Sequence, residues 1–91
     1  LKSKVKCRGT VAFHVNSGDA LIKTANEICE VLSECTHALC IITTNGLTYD
    51  CEEIEKCNDL ISDKLNVEWF FWNFYETEQP EKYKIYVLQA D

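Results

Sequence analysis

Polar and apolar side chains alternate along the first fifteen residues. Val5, Cys7, Val11, Phe13 and Val15 fall on one side of an extended chain, and Lys4, Lys6, Arg8, Thr10 and His14 on the other. That period of two predicts a half-buried strand over 4–15. Asn16-Ser17-Gly18-Asp19 then supplies turn and N-cap chemistry. The period lengthens after it: Leu21, Ala25, Ile28 and Leu32 form one stripe with Cys29 at its edge, predicting a helix to about Glu34. Residues 38–44 read as a short strand, Asn45-Gly46 as a type I′ turn, and 47–51 as the returning strand of a hairpin. Such a turn would set Thr44 opposite Leu47, Ile42 opposite Tyr49 and Cys40 opposite Cys51. Asp50-Cys51-Glu52-Glu53 reads as a variant capping box, opening a second helix with the stripe Ile54, Cys57, Ile61 and Leu65. A strand over 67–75, a polar loop over 76–81 holding the only proline, and a last strand over 83–88 complete the chain.

The predicted order is β-α-β-β-α-β-β in one domain, residues 1–91. Two helices with one apolar stripe each need a single sheet face to cover. The expected fold is therefore α+β: a two-layer sandwich with a mostly antiparallel sheet and both helices on one face. Right-handed crossovers give the ferredoxin-like strand order 4-1-3-2, with the fifth strand beside the fourth. The helices would cover the face holding Val11, Phe13, Ile42, Ile85 and Val87.

The run Val67-Glu68-Trp69-Phe70-Phe71-Trp72-Asn73-Phe74-Tyr75 is the anomaly. If Val67, Trp69, Phe71 and Tyr75 face the helices, Phe70, Trp72 and Phe74 must face away, joined by Tyr86 and Leu88. One layer of helices cannot cover both faces. An exposed aromatic patch of this size marks a binding surface, with Lys4, Lys6 and Arg8 as a basic column beside it.

Composition adds a compartment. Six cysteines (Cys7, Cys29, Cys35, Cys40, Cys51 and Cys57) in 91 residues are an even count in a short chain. This is the usual mark of a disulfide framework in an oxidising environment. No Cys-x-x-Cys knuckle is present, so no zinc or other metal site is expected. The topology above would gather all six at one end, with Cys40–Cys51, Cys29–Cys57 and Cys7–Cys35 as the leading pairs. With no apolar run near the roughly 20 residues of a membrane span, and a first residue, Leu1, that suits processing from a precursor, the expectation is a secreted, disulfide-stapled protein.

The net charge is −6. Residues 1–8 carry four basic side chains and no acid, so the remainder holds five basic residues against 15 acids, a balance of −10. That acidic body argues against a nucleic-acid partner. The glycines Gly9, Gly18 and Gly46 are isolated, so no phosphate loop or nucleotide cofactor is indicated. His14 and His37, the only histidines, are predicted at opposite ends of the fold, too far apart for an acid–base pair. Bridged cysteines are not nucleophiles. A sole arginine in mid-strand does not build an acylphosphatase-type phosphate cradle. Strands one and three present no outward stacking rings, which removes the RNA-recognition use of the fold. No catalytic residue and no cofactor are expected.

In element order, size and cysteine richness the chain resembles the secreted killer toxins of fungi and the effector-like proteins that share their fold. That resemblance implies an α/β sandwich with helices on one side, often a two-chain toxin, and killing of rival cells without enzymatic chemistry. The function expected is then binding through the open sheet face. The partner would be a protein, a second toxin chain, another copy, or a target-cell surface. A secreted inhibitor, ligand or receptor-binding fragment would use the same face, and a small ribonuclease-like hydrolase would need a site the residues do not offer.

Overall fold

The structure, a computed structural model, describes residues 7–15 and 20–91. Six elements follow one another: β1 (Cys7–Val15), α1 (Leu21–Val31), β2 (His37–Thr44), α2 (Cys51–Leu65), β3 (Trp69–Glu76) and β4 (Tyr83–Ala90). The sheet has four strands in the order β1-β4-β2-β3. β4 runs antiparallel to both β1 and β2, whereas β2 and β3 are parallel, so the sheet is mixed. The α+β class and the two helices agree with expectation. The ferredoxin-like order of five strands does not.

The difference lies at residues 45–50. They form a loop rather than the second arm of a hairpin, and Leu47 is 82% exposed. Gly46 takes the positive φ (78°) expected of an Asn-Gly pair. The Asn45 side chain, however, accepts the Leu47 N–H at 3.1 Å, which turns the chain out of β2 instead of back along it. The flank of β2 that the hairpin arm would have occupied is taken by β3. Its parallel pairing runs residue for residue from His37↔Trp69 to Thr44↔Glu76. Eight regular pairs over a βαβ crossover outweigh five residues returning from a tight turn.

Both helices form where their stripes predict. Leu21, Ala25 and Ile28 of α1 are buried, as are Ile54, Cys57, Ile61 and Leu65 of α2. Asp50 caps α2 by accepting the Glu52 N–H at 2.9 Å, with Glu52 and Glu53 favourably placed in the first turn. Asn66 ends the helix in the left-handed conformation at φ 51°. These stripes meet Val15, Ala38, Cys40, Ile42, Tyr83, Ile85 and Val87 in one core. All seven lie on the same side of the sheet, so both helices cover one face.

At one end of the sheet Arg8 acts as a clamp. Its Nε and Nη2 donate to the two carboxylate oxygens of Asp91 at 2.6 and 2.7 Å. Nη1 donates to Ser33 Oγ at 2.9 Å, and Nη2 also reaches the Glu34 carbonyl at 2.7 Å. The guanidinium holds the Asp91 carboxyl below the usual carboxylate range, chiefly through the side-chain hydrogen bond. Expected as part of a basic binding column, Arg8 instead joins β1, the end of β4 and the α1–β2 connection. The Cys7/Gly9 bulge, with Gly9 at φ 126°, lets the chain turn it that way.

Candidate functional site

The sheet face opposite the helices is a grid, because the strand registers align across all four strands. Cys7, Ala90, His37 and Trp69 form its first row, and Thr10, Leu88, Leu39 and Phe71 the second. Ala12, Tyr86, Ile41 and Asn73 form the third, and His14, Lys84, Thr43 and Tyr75 the fourth. The fourth row is polar and partly roofed by the β3–β4 connection. Gln79 accepts from Thr43 Oγ1 at 2.7 Å and donates to the Thr43 carbonyl at 3.3 Å, while the Glu81 carboxylate lies 3.7 Å from Lys84 and 3.8 Å from His14. In the first three rows Cys7, Thr10, Ala12, Trp69, Phe71 and Asn73 are exposed, His37, Leu39, Ile41, Tyr86 and Leu88 are partly buried, and Ala90 is buried.

A shallow depression of about 200 Å³ lies in the first two rows, walled by Cys7, His37, Leu39, Trp69, Phe71 and Leu88. Its aromatic side is ordered: His37 stacks on Trp69 with centroids 6.5 Å apart, and Trp69 stacks on Phe71 at 5.8 Å. His37 Nδ1 is buried without a hydrogen-bond partner among the described residues. Buried donors and acceptors are normally paired. The exposed lining of the depression is almost wholly apolar.

The structure redistributes the residues expected to bind. Tyr86 and Leu88 lie in the open grid. Phe70 and Phe74 turn the other way and pack against the core, and Phe74 is further covered by Tyr49 at 5.1 Å between centroids. Trp72 shares their side of β3 at its outer rim, half exposed. The rings that do face outward are Trp69, Phe71 and Tyr75. The face of β3 is therefore the reverse of the expected one, because pairing with β2 places Phe70 beside buried Ala38 and Phe74 beside buried Ile42. Asn73, the one polar residue in the run, carried the missed signal: its parity is that of Trp69, Phe71 and Tyr75. Lys4 and Lys6 lie outside the described residues.

His14 and His37 both lie on the open face, at opposite ends. His14 is level with Thr43, six residues along β2 from His37, or about 20 Å at ~3.3 Å per residue. The cysteines are also spread. Cys7 pairs with Ala90 at one end of the sheet, whereas Cys51 opens α2 beside Asp50, whose N–H donates to the Tyr83 hydroxyl at the other end. The six are free thiols in this structure, and without the hairpin Cys40 and Cys51 are not cross-strand partners. Cys29 on α1, Cys57 on α2 and Cys40 on β2 point into the same layer. Burial pushes the Cys40 thiol up to about 12 and raises those of Cys57 and Cys29. Among the described residues no cluster of three or more His, Cys, Asp or Glu is arranged to hold a metal ion, and no helix is long and apolar enough to cross a membrane.

The fold recurs in solved structures of CetZ proteins. CetZ from Methanosaeta thermophila strain DSM 6194 superposes with a TM-score of 0.64 at 11% identity, over 88% of this chain and 24% of that one. CetZ2 from Haloferax volcanii, in a GTPγS-bound protofilament, gives 0.63 at 12% identity, over 91% and 28%. CetZ1 from Haloferax volcanii, a GDP-bound monomer, gives 0.55 at 15% identity, over 93% and 28%. The chain thus spans about a quarter of the length of the CetZ chains it resembles, and at these identities the likeness is one of fold alone. No family model matches the chain, and no curated protein matches it.

Proposed function

We propose that this chain is a secreted protein-binding module that acts through the first three rows of its open sheet face, without turnover of a substrate. One observation carries the reading: Leu39, Ile41, Tyr86 and Leu88, partly buried, and Trp69 and Phe71, more than half exposed, adjoin across three strands as one apolar surface on the side of the sheet away from the helices. Surfaces of that kind on a small domain are contact sites. The cysteine content supports an oxidising compartment, with Cys29–Cys57 as the bridge that the packing of α1 on α2 favours. The fold likeness to CetZ, where the matched part is about a quarter of the chain, supports a second setting, in which this unit is one part of a longer chain. It transfers neither GTPγS nor GDP to this protein.

A photo-crosslinking amino acid placed at Tyr86, in the grid, and at Glu55, exposed on α2, tests the reading. Crosslinks should form from the first position and not the second, and Leu88→Glu should weaken binding of the purified, identified partner at least tenfold. Equal labelling from both positions would rule out the open face as the contact. Inhibition of sensitive fungal cells that disappears with Leu88→Glu would narrow the module to the killer-toxin class.

A further inference from the structure

The two edges of the sheet are built differently. β1 carries the devices that blunt an edge: the bulge at Cys7/Gly9, a glycine at φ 126°, and charged or polar side chains in its exposed half. β3 has none of them. Trp69–Glu76 contains no glycine, proline or lysine, and pairs with β2 through eight residues without a register shift. Its outer side carries no strand among the described residues. A regular edge of this length, with backbone donors and acceptors pointing outward, is a template for another strand.

We propose that β3 is a dimerisation edge. Two copies of this chain pair β3 with β3 antiparallel about a two-fold axis at Trp72, joining two four-stranded sheets into one of eight. Parity selects the register. Paired residues in an antiparallel ladder share a face, so self-pairing must centre on a residue rather than between two. Centring on Trp72 sets Phe70 against Phe74 of the second copy and Trp72 against itself. On the open side, Trp69 meets Tyr75 and Phe71 meets Asn73. Moving the axis to Asn73 would set Phe70 against the carboxylate of Glu76 instead.

A second copy suits this edge better than a foreign strand because the edge is complementary to itself. Trp69, Phe71, Trp72 and Tyr75 are 55%, 59%, 43% and 50% exposed. At about 150–250 Å² per aromatic side chain, they hold roughly 400 Å² per copy, or about 800 Å² for two. Backbone pairing along the ladder adds to this, which puts the contact at the low end of specific interfaces; Leu88, on β4 and two strands in from the edge, takes no part. Antiparallel pairing closes on itself, and the blunted β1 edges stop the sheet from growing. The opposing feature is Glu68, which faces Glu76 of the second copy at each end of the ladder.

This inference concerns the sheet edge; it shares Trp69 and Phe71 with the open-face reading but not Tyr86 or Leu88, which lie two strands away on β4. Sedimentation equilibrium over about 1 µM to 1 mM should show a monomer–dimer equilibrium with no higher species, half-dimerised at about 10–100 µM, as befits an interface near the lower size limit. Trp72 is not among the residues packed on the core, so it can be replaced. Trp72→Lys and Trp72→Glu should each be monomeric with unchanged circular dichroism, and an equimolar mixture of the two should recover a heterodimer. Glu68→Gln should strengthen dimerisation severalfold. If both Trp72 variants lose the fold, Asn73→Lys, at an exposed position, should weaken the dimer at least tenfold. A wild-type protein that stays monomeric to 1 mM overturns the proposal. So does a dimer broken by Leu88→Glu but indifferent to Trp72→Lys and Asn73→Lys, which would instead assign association to the open face.

Discussion

Tyr83→Phe removes one oxygen from the end of the sheet where α2 begins and should be felt. The ring is completely buried, and its hydroxyl accepts the backbone N–H of Asp50 at 3.3 Å. Asp50 is the N-cap of α2, so this bond fixes the point at which the helix leaves the sheet. Phenylalanine keeps the ring and its packing and loses only the bond. A neutral hydrogen bond contributes about 0.5–1.5 kcal/mol net. Because Asp50 itself is exposed, water can partly replace the lost acceptor, which places the cost near 1 kcal/mol. In a domain of this size that lowers the thermal midpoint by roughly 4–8 °C.

Burial also raises the Tyr83 phenol above its ordinary value. A raised pKa in the fold means stability fully present below the unfolded value of about 10 and lost as pH rises through the folded one. The wild type should therefore lose its advantage over Tyr83→Phe above about pH 10. Urea unfolding at pH 7 and pH 10.5, followed by circular dichroism, measures both effects. Equal stability of the two proteins at pH 7 would refute the contact as a determinant of the α2 start, and a gap that widens with alkali would refute its cause.

Two further outcomes follow from the clamp and the thiols. Arg8→Met should lower stability at neutral pH and flatten the acid limb of the stability profile: the depressed Asp91 carboxyl stabilises the fold above its unfolded pKa of about 3.9, and the contribution disappears as pH falls through the folded value. Guanidinium unfolding of both proteins between pH 2 and 7 measures this. In the reduced protein at pH 8, exposed Cys7 and Cys51 should react with a thiol reagent at least about a hundredfold faster than buried Cys40 and Cys57, because the thiolate is the reactive form. Mass spectrometry of the labelled peptides gives the order, and comparable rates at all four would contradict the burial.

The parts of the fold legible in the sequence are those where one face of an element is decisively apolar. The stripes Leu21-Ala25-Ile28 and Ile54-Cys57-Ile61-Leu65 placed both helices and their buried sides. Val11, Phe13, Ile42, Ile85 and Val87 were assigned to the helix-covered face: Ile42, Ile85 and Val87 are buried there, Phe13 packs against that core, and Val11 pairs with Val87 on the same side. β3 was legible as a strand but not in its phase, since apolar residues at both parities leave a period of two without direction. Tertiary pairing with β2 chose the phase. The connection after β2 misled for a related reason. Asn45-Gly46 signals a change of direction, and Thr44, Ile42 and Cys40 had apolar counterparts ahead of it. Nothing local announced that a strand from residue 69 onward would claim the same flank. The face assignments inherited the phase error: Tyr86 and Leu88 lie on the open face as expected, Phe70, Trp72 and Phe74 lie on the other, and Trp69, Phe71 and Tyr75 take their place.

The Arg8–Asp91 clamp bears on how such a unit can be carried. β1 and β4 are neighbours, and Cys7 pairs with Ala90, so the path into the fold and the path out of it lie one strand spacing apart, about 5 Å. Two strand ends that close would let the segment between them sit on a surface loop of a host without stretching either partner. The ion pair across that gap would then act as a fastener at the junction, holding the insert shut whatever the host chain does on either side.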